Sequence, residues 1–208
     1  MKWVVIDTEG SGIFNYKLPA EHPDQPRLAA LATICLDDDL SVTDVRELFV
    51  HPMGEWMMTP EATAVNGITD EILHERGVPV SFVLDYYTML VKHEGRAVIA
   101  FNSQFDCKQM RGELRRAGMD DLFEITNNVC VMRKSKGVIP KVNGKNGWPS
   151  LKEARTFLNL DHEGAHGALK DAEDALAVFR YLHSRGVDLT PSVHYSKDHD
   201  AIVARSEA

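Results

Sequence analysis

The amino-acid sequence predicts an α/β fold in which helices pack on the faces of a β-sheet. Three short β-rich runs follow one another early in the chain, and helical segments then alternate with short apolar strands. This order of elements is typical of a layered structure with its helices on the sheet. At 208 residues, the chain is long enough for one well-packed core. We expect a single domain over residues 1–186 and a polar C-terminal extension over residues 187–208.

The predicted sheet begins with three strands. Residues 2–7, 30–36 and 44–50 are rich in apolar and β-branched side chains, and the polar turn "DDDLS" separates the second run from the third. We therefore predict a three-strand meander at the start of the sheet. A Pro-containing loop, residues 13–27, joins the first two strands and is longer than a usual hairpin connection.

Helical signals follow the meander. Thr59 and Thr69 are predicted to be the N-caps of two short helices, and Gly77 is predicted to terminate the second of them. A longer helix is expected over residues 82–94, with Ser81 at its start.

Strands and helices then alternate. Residues 97–102 form a candidate buried strand, residues 103–116 a helix, and residues 129–132 a short strand. Ser150 and Glu153 have the spacing of a capping box, which predicts the start of another helix.

The last predicted helix includes the stretch "HGALKDAEDAL", residues 166–176. On a helical wheel, Asp171 lies on the shoulder of the apolar face, whereas Glu173 and Asp174 point away from it. A carboxylate that leans toward the interior is unfavourable unless it is protonated, hydrogen-bonded or bound to a cation, so we expect Asp171 to have a partner. The side chains on the apolar face are Ala172, Ala175, Leu176, Phe179 and Leu182.

Composition excludes several classes of protein. A formal net charge of −8 argues against a protein that coats nucleic acid by bulk attraction. The apolar run "WVVI" begins too early for a signal peptide, and no apolar segment approaches the roughly 20 residues of a membrane span, so we expect a cytoplasmic protein with no membrane partner. Cys35, Cys107 and Cys130 include no CxxC pair, which argues against a disulfide framework or a thiolate zinc site.

Positive charge is concentrated in one segment. Residues 125–152 contain no acidic residue, although the protein as a whole is acidic. The segment is either a solvated loop or a patch that contacts phosphates. Its basic residues are Arg133, Lys134, Lys136, Lys141, Lys145 and Lys152.

Several carboxylates have an ordinary explanation when each is taken alone. Asp7 and Glu9 end the first strand two residues apart, so their side chains emerge on the same face. Ser103 and Asp106 match a helix-capping pattern, and an acidic residue is favoured in the first turn of a helix.

As a set, these residues are far more specific. A strand-terminal DxE, an aspartate that opens a helix after a second buried strand, and the H-x4-D spacing of His166 and Asp171 resemble the DEDDh 3′-to-5′ exonucleases, the proofreading-type (DnaQ-like) family. The resemblance extends over residues 3–183 and includes "VNGIT", residues 65–69, which is similar to the loop of that family at the substrate terminus. Position 167 is Gly where the sister class has tyrosine, which indicates the histidine branch.

The resemblance implies a ribonuclease-H-like mixed β-sheet of about five strands, flanked by helices, with the middle strand of the meander antiparallel. It implies that His166 is the general base and that the metal-binding carboxylates are Asp7, Glu9, Asp106 and Asp171. Two such carboxylates 4 Å apart would repel by about 4 kcal/mol at an effective dielectric constant of 20, and bound cations would remove that repulsion. All-oxygen ligation suits two Mg²⁺ or Mn²⁺ ions.

Substrate contacts are expected from two sources. The "VNGI" loop offers backbone groups and an apolar side chain to the terminal nucleotide, and the basic segment offers cations to the phosphates. The expected substrate-binding residues are Thr8, Asn66, Gly67, Ile68, Asn102, Lys134, Lys136, Lys141 and Lys145.

The predicted function is metal-dependent 3′-to-5′ exonuclease activity on single-stranded DNA, with release of nucleoside 5′-monophosphates. An exoribonuclease of the oligoribonuclease or RNase T kind and a non-catalytic nucleic-acid-binding module with the same fold are the alternatives. The expected partners are the 3′ ends of single-stranded DNA or RNA, together with a polymerase or a second copy of the chain.

Overall fold

The computed structural model describes residues 1–141, 147–161 and 167–194. A five-stranded sheet in the order β3-β2-β1-β4-β5 forms its centre. β1 pairs antiparallel with β2 and parallel with β4, β2 pairs antiparallel with β3, and β4 pairs parallel with β5. The predicted mixed sheet, with its meander first, is therefore confirmed. The strands are β1 (Trp3–Gly10), β2 (Leu28–Leu36), β3 (Val42–Phe49), β4 (Ala97–Ala100) and β5 (Asn128–Cys130).

Helices cover both faces of this sheet. In the described part of the chain they are α1 (Pro60–Asn66), α2 (Asp70–Arg76), α3 (Val80–Thr88), α4 (Ser103–Arg116), α5 (Val131–Lys134), α6 (Leu151–Leu158) and α7 (Ala168–Ser184), and a π-helical turn, Met89–His93, continues α3. No helix among the described residues combines the length and the apolar composition that crossing a membrane requires.

Alternation along β1 divides the core into two layers. Val5 packs with the residues of α7, whereas Val4 and Ile6 face the opposite layer, with α3 and α4. Successive side chains of a strand point to opposite faces, so a central strand such as β1 contributes to both layers. The predicted apolar face of α7 is confirmed, because all five of its side chains are buried.

Local capping chemistry sets several helix starts as predicted. The hydroxyls of Thr59 and Thr69 accept hydrogen bonds from backbone amides in the first turns of α1 and α2. Ser150 and Glu153 form both bonds of a capping box at the start of α6. These caps depend only on neighbouring residues, which explains why the sequence reveals them.

Other element ends differ from the prediction. α3 begins at Val80, with Pro79 rather than Ser81 at its N-cap position, because the backbone of Pro79 is already extended before the first turn. β4 ends at Ala100 because the next two residues turn into α4, and β5 ends at Cys130 because α5 begins at Val131.

The loop at residues 13–27 is fastened to α4 by polar contacts. Gln25 is 3% exposed, and its side-chain amide donates to the backbone oxygen of Asn15 at 2.7 Å. The guanidinium of Arg27 donates to the buried carboxylate of Glu113 on α4 at 2.9 Å, and Arg116 donates to the same carboxylate at 2.8 Å. Paired burial of these charges fixes the loop against the helix.

Part of the segment beyond the predicted domain boundary also packs on the fold. Leu189 is 8% exposed and belongs to the same core layer as α7. Ser192 exchanges two backbone hydrogen bonds with Asn128 of β5, at 2.9 and 3.0 Å. The division of the chain at residue 186 stays a prediction.

Gly77 ends α2 at its C-cap position, as predicted. Its φ of −73° is available to any residue, so it does not end α2 through a left-handed conformation. Instead the chain passes so close that a Cβ at this position would lie 2.2 Å from the oxygen of Leu73 and 2.6 Å from the backbone nitrogen of His51. The glycine is required by a close approach of backbones.

We therefore expect Gly77→Ala to lower the free energy of unfolding by about 1–3 kcal/mol, the usual effect of overpacking. Gly12→Ala is the matched control, because a Cβ there meets no atom closer than 3.4 Å. Urea denaturation of both variants measures the difference. Equal stabilities would show that the backbone at Gly77 relaxes freely.

Candidate functional site

A cavity of about 250 Å³ opens at the carboxyl end of β1, where β1, α4 and α7 meet. Carboxylates line it together with the apolar side chains of Val65, Phe101, Phe105 and Leu151. We call it the acidic cavity. Its polar lining consists of Asp7, Thr8, Glu9, Asn102, Asp106 and Asp171.

Three carboxylates converge in the acidic cavity. Asp7 and Glu9 extend from the same face of β1, and Asp171 reaches them from the first turn of α7. One oxygen of each lies within 4.8 Å of the others, and all three side chains are half-buried. This spacing of oxygen donors fits a hard divalent cation such as Mg²⁺ or Mn²⁺.

Asp106 lies beside this cluster and is 3% exposed. Its Oδ1 accepts hydrogen bonds from the backbone nitrogen of Thr8 at 3.0 Å and from the Thr8 hydroxyl at 2.9 Å. The capping role expected from the Ser103 spacing is wrong, since Asn102 occupies the N-cap position of α4 and the Ser103 hydroxyl donates to Asn128 of β5 at 2.7 Å. Thr8 therefore ties the end of β1 to α4.

Burial and mutual repulsion raise the pKa of these acids. Burial, followed by the charges of Asp106, Asp171 and Glu9, holds the pKa of Asp7 well above its ordinary value. Burial raises the pKa of Glu9 from 4.5 to about 8, although a hydrogen bond from Asn66 opposes the shift. The pKa of Asp106 is also raised, chiefly by burial, against the bonds from Thr8. A bound cation would favour the ionised forms, so the donor set fits a metal.

Arg155 of α6 is a member of the site that the sequence does not reveal. Its guanidinium donates to the Asp171 carboxylate and, from Nε, to Asp174, while only 3% of the Arg155 side chain is exposed. The same positive charge acts on Asp7, where it opposes the rise in pKa. Arg155 therefore holds Asp171 in place and offsets part of the negative charge.

The predicted outward orientation of Asp174 is wrong. Its side chain is 3% exposed and is paired with both Arg155 and Lys170, whose ammonium lies 3.2 Å from Asp174 Oδ1. The buried face of α7 is wider than the predicted one because α6 covers its flank. Val178, which lies next to Asp174 on the helical wheel and is fully buried, is the sequence signal that marks this flank.

The "VNGI" segment approaches the cavity, but not with the expected side chain. Asn66 Oδ1 accepts from the backbone nitrogen of Ile68 at 3.0 Å, and Gly67 caps α1 with a φ of 70°. Ile68 is 4% exposed and packs in the core, and its contact with substrate stays a prediction. Val65, which is 62% exposed, is the apolar side chain of this segment that lines the cavity.

The predicted basic contacts lie elsewhere. Lys134, Lys136 and Lys141 do not line the acidic cavity; Lys141, for example, donates to the backbone oxygen of Trp148 at 3.2 Å. Lys145 and His166 fall outside the described residues, so the structure neither supports nor opposes their predicted roles.

Carboxylates at the end of the central strand, joined by acids from two flanking helices on a mixed sheet, define a ribonuclease-H-like fold with a candidate metal site. The family model RNase T, described as exonuclease, matches residues 4–179. The chain therefore belongs to this exonuclease family, and the resemblance to the DEDDh exonucleases is confirmed. Among curated proteins, no sequence matches this chain significantly.

Solved structures share the fold at low sequence identity. Exonuclease I of E. coli in complex with a dT13 oligonucleotide superposes with a TM-score of 0.69 at 19% identity, over 88% of this chain and 41% of that one. The nuclease domain of 3′hExo, a DEDDh family member bound to rAMP, gives 0.70 at 15% identity, over 93% and 97%. A full-length 3′-exonuclease gives 0.72 at 14% identity, over 94% and 64%. The chain spans about two fifths of the Exonuclease I chain.

The raised pKa values predict how stability and metal binding depend on pH. Because the pKa of Glu9 is about 8 in the folded, metal-free protein, the folded state holds protons that the unfolded state has released above about pH 4.5. The free energy of unfolding contributed by this group therefore falls as the pH rises through this window. A divalent cation reverses the effect, so Mn²⁺ should raise Tm more at pH 8 than at pH 5.5.

Differential scanning calorimetry at the two pH values measures this dependence. The Asp7→Asn variant lacks one of the mutually repelling carboxylates. Its stability should therefore depend less on pH, and Mn²⁺ should raise its Tm by less. Equal Mn²⁺ shifts at both pH values in the parent protein would contradict the assignment of a carboxylate metal site.

The buried pair of Asp174 and Arg155 predicts unequal effects for two neighbouring acids of α7. Asp174→Ala leaves a buried guanidinium without one of its two carboxylates and should lower the free energy of unfolding by about 3–5 kcal/mol. Glu173→Ala removes an exposed charge and should change stability by less than about 0.5 kcal/mol. Chemical denaturation compares them, and a stable Asp174→Ala protein would show that the pair is dispensable.

Proposed function

We propose that this chain is a divalent-metal-dependent 3′-to-5′ exonuclease that acts on single-stranded DNA and releases nucleoside 5′-monophosphates. The observation that carries the proposal is the convergence of Asp7, Glu9 and Asp171, with Asp106 beside them, at the end of the central strand. Membership of the exonuclease family supports hydrolysis of nucleic acid from an end.

The four carboxylates would hold the metal ions. When bound, two divalent ions would activate a water molecule and stabilise the leaving 3′ oxygen of an in-line displacement at phosphorus. The other residues of the chain act on position. Thr8 orients Asp106, and Arg155 orients Asp171, so that both acids face the same space.

The acidic cavity suits the end of a single strand. Its volume of about 250 Å³ is small, and apolar side chains line it beside the carboxylates, so a terminal base and sugar can pack there. Val65, Phe101 and Leu151 provide the apolar lining, and Asn102 offers an amide group. Asn66 hydrogen-bonds to Glu9 beside the cavity. A base pair would have to open before its terminal nucleotide reached the carboxylates.

His166 is proposed as the general base that takes a proton from the attacking water. The proposal rests on its five-residue separation from Asp171 and on the suitability of a histidine side chain for proton transfer at neutral pH. His162, four residues earlier, has no such spacing.

Exoribonuclease activity is the second candidate function. The observation that favours it is the similarity over nearly the full length of the 3′hExo nuclease domain, a structure that contains rAMP. Phosphate contacts from Lys136, Lys141 and Lys145, a polymerase or homodimer partner and a cytoplasmic location remain predictions from the sequence.

The test is digestion of 5′-labelled DNA and RNA oligonucleotides in Mn²⁺. A ladder that shortens from the 3′ end is expected, and the faster substrate identifies the preferred sugar. Asp7→Asn should leave the oligonucleotides intact. His166→Ala should lower kcat by roughly 10²- to 10⁴-fold, the usual contribution of a positioned base.

His162→Ala is the matched control and should keep close to the parent kcat. Intact oligonucleotides in every metal, with retained binding, would leave only a nucleic-acid-binding module. A larger loss for His162→Ala than for His166→Ala would overturn the choice of base.

A further inference from the structure

A second and larger cavity, of about 680 Å³, lies on the other side of the first turn of α4. Asn102, Phe105 and Asp106 line the acidic cavity, whereas Ser103 and Gln104 between them line the second one. One helical turn therefore separates the two cavities. The volume of the second cavity lies within the range of about 300–1,000 Å³ that is common for ligand sites.

Three cationic side chains from two segments line this second cavity, which we call the basic cavity: Lys108 of α4, and Arg133 and Lys134 of α5. Among the described residues, Lys108 has no hydrogen-bond or ion-pair partner. Arg133 donates to the neutral side chain of Gln104 at 2.8 Å, and the carboxylate nearest to Lys134, that of Asp188, is 3.7 Å away. In the described part of the chain, Lys108 and Arg133 have no carboxylate partner, and Lys134 forms only a 3.7 Å ion pair with the exposed carboxylate of Asp188.

A fourth cation on the wall behaves differently. Arg111 is 7% exposed and donates to Asp121 at 2.7 Å and to Glu124 at 3.4 Å. Its charge is neutralised by these acids, so it supports the wall of the cavity. The cations available to a ligand are the other three.

His194 adds a polar atom that lacks a partner among the described residues. Its ring stacks on Phe123 with 4.2 Å between centroids, and its Nε2 is buried without a hydrogen bond. Burial, followed by the charges of Arg133, Arg111 and Lys108, lowers the pKa of His194 to about 4. The neutral ring can donate one N–H to an anion, and a buried polar atom without a partner is uncommon in folded proteins.

The aromatic ring of this wall is not available to a base. His194 stacks on Phe123, the guanidinium of Arg111 lies 4.7 Å from the centroid of the same ring, and Phe123 is only 2% exposed. A free nucleotide would find phosphate ligands here but no stacking partner on this wall. The chemistry of the cavity favours the phosphate of a strand that is held elsewhere by its end.

We propose that the basic cavity binds an upstream phosphodiester of the strand whose 3′ end lies in the acidic cavity, through Lys108, Arg133, Lys134 and His194. This inference rests on the proposed exonuclease function. It explains how a protein with a net charge of −8 keeps hold of a polyanion, since the attraction is local to the path of the strand. It also predicts that affinity depends on strand length.

Binding of dT2, dT6 and dTMP in Ca²⁺, measured by calorimetry at several salt concentrations, tests the proposal. The double variant Lys108→Gln, Lys134→Gln should bind dT6 roughly tenfold more weakly. The slope of its log binding constant against log salt concentration should become shallower by about 0.7 for each lost phosphate contact. Affinity for dT2 should not change, because its single phosphodiester would lie at the carboxylates and it has no upstream one. Lys2→Gln removes one positive charge next to the amino end of β1, at a residue that lines neither cavity, and should behave as the parent protein.

The outcomes separate this inference from the proposed function. One outcome is that the parent protein shortens labelled oligonucleotides from the 3′ end while the double variant and Lys2→Gln bind dT6 equally well. That result would overturn the upstream subsite and leave the exonuclease proposal standing. Loss of dTMP affinity without a length effect would assign the cavity to a free nucleotide and also overturn it. If the parent protein neither binds nor shortens any oligonucleotide, both proposals fail.

Discussion

The repulsion among half-buried carboxylates at the end of β1 is the constraint on which the site depends. Asp7, Glu9 and Asp171 each place an oxygen within 4.8 Å of the others, an arrangement that is unfavourable when all are ionised. Neighbouring side chains reduce the repulsion among these carboxylates. Thr8 donates two hydrogen bonds to Asp106, and Arg155 brings a positive charge to Asp171. The remaining charge is what a divalent cation would neutralise.

The topology explains why such a cluster can form at all. β1 is the central strand of the sheet, and its carboxyl end is flanked by the first turns of α4 and α7, which pack on opposite layers of the core. A rigid strand and two packed helices hold the acids against their repulsion. Arg155 depends in turn on Asp174, so the packing of α6 on α7 also bears on the geometry of the site.

Negative charge lies on one side of the first turn of α4, and positive charge lies on the other. The acidic cavity contains the carboxylates, and the basic cavity contains Lys108, Arg133 and Lys134. The proposed upstream subsite would use both environments, because metal-bound carboxylates would act on one phosphate while the cations attract the next. The net charge of the chain conceals this local order.

The sequence by itself determined what depends on neighbouring residues or on a complete motif. It identified the meander, the caps at Thr59, Thr69 and Ser150, and the family to which the carboxylates belong. Only the tertiary structure decided which distant groups meet. Asp174 is buried because α6 supplies Arg155, and Gly77 is required because the backbone of His51 passes beside it. Periodicity and spacing describe one segment at a time, whereas burial and pairing depend on segments far apart in the chain.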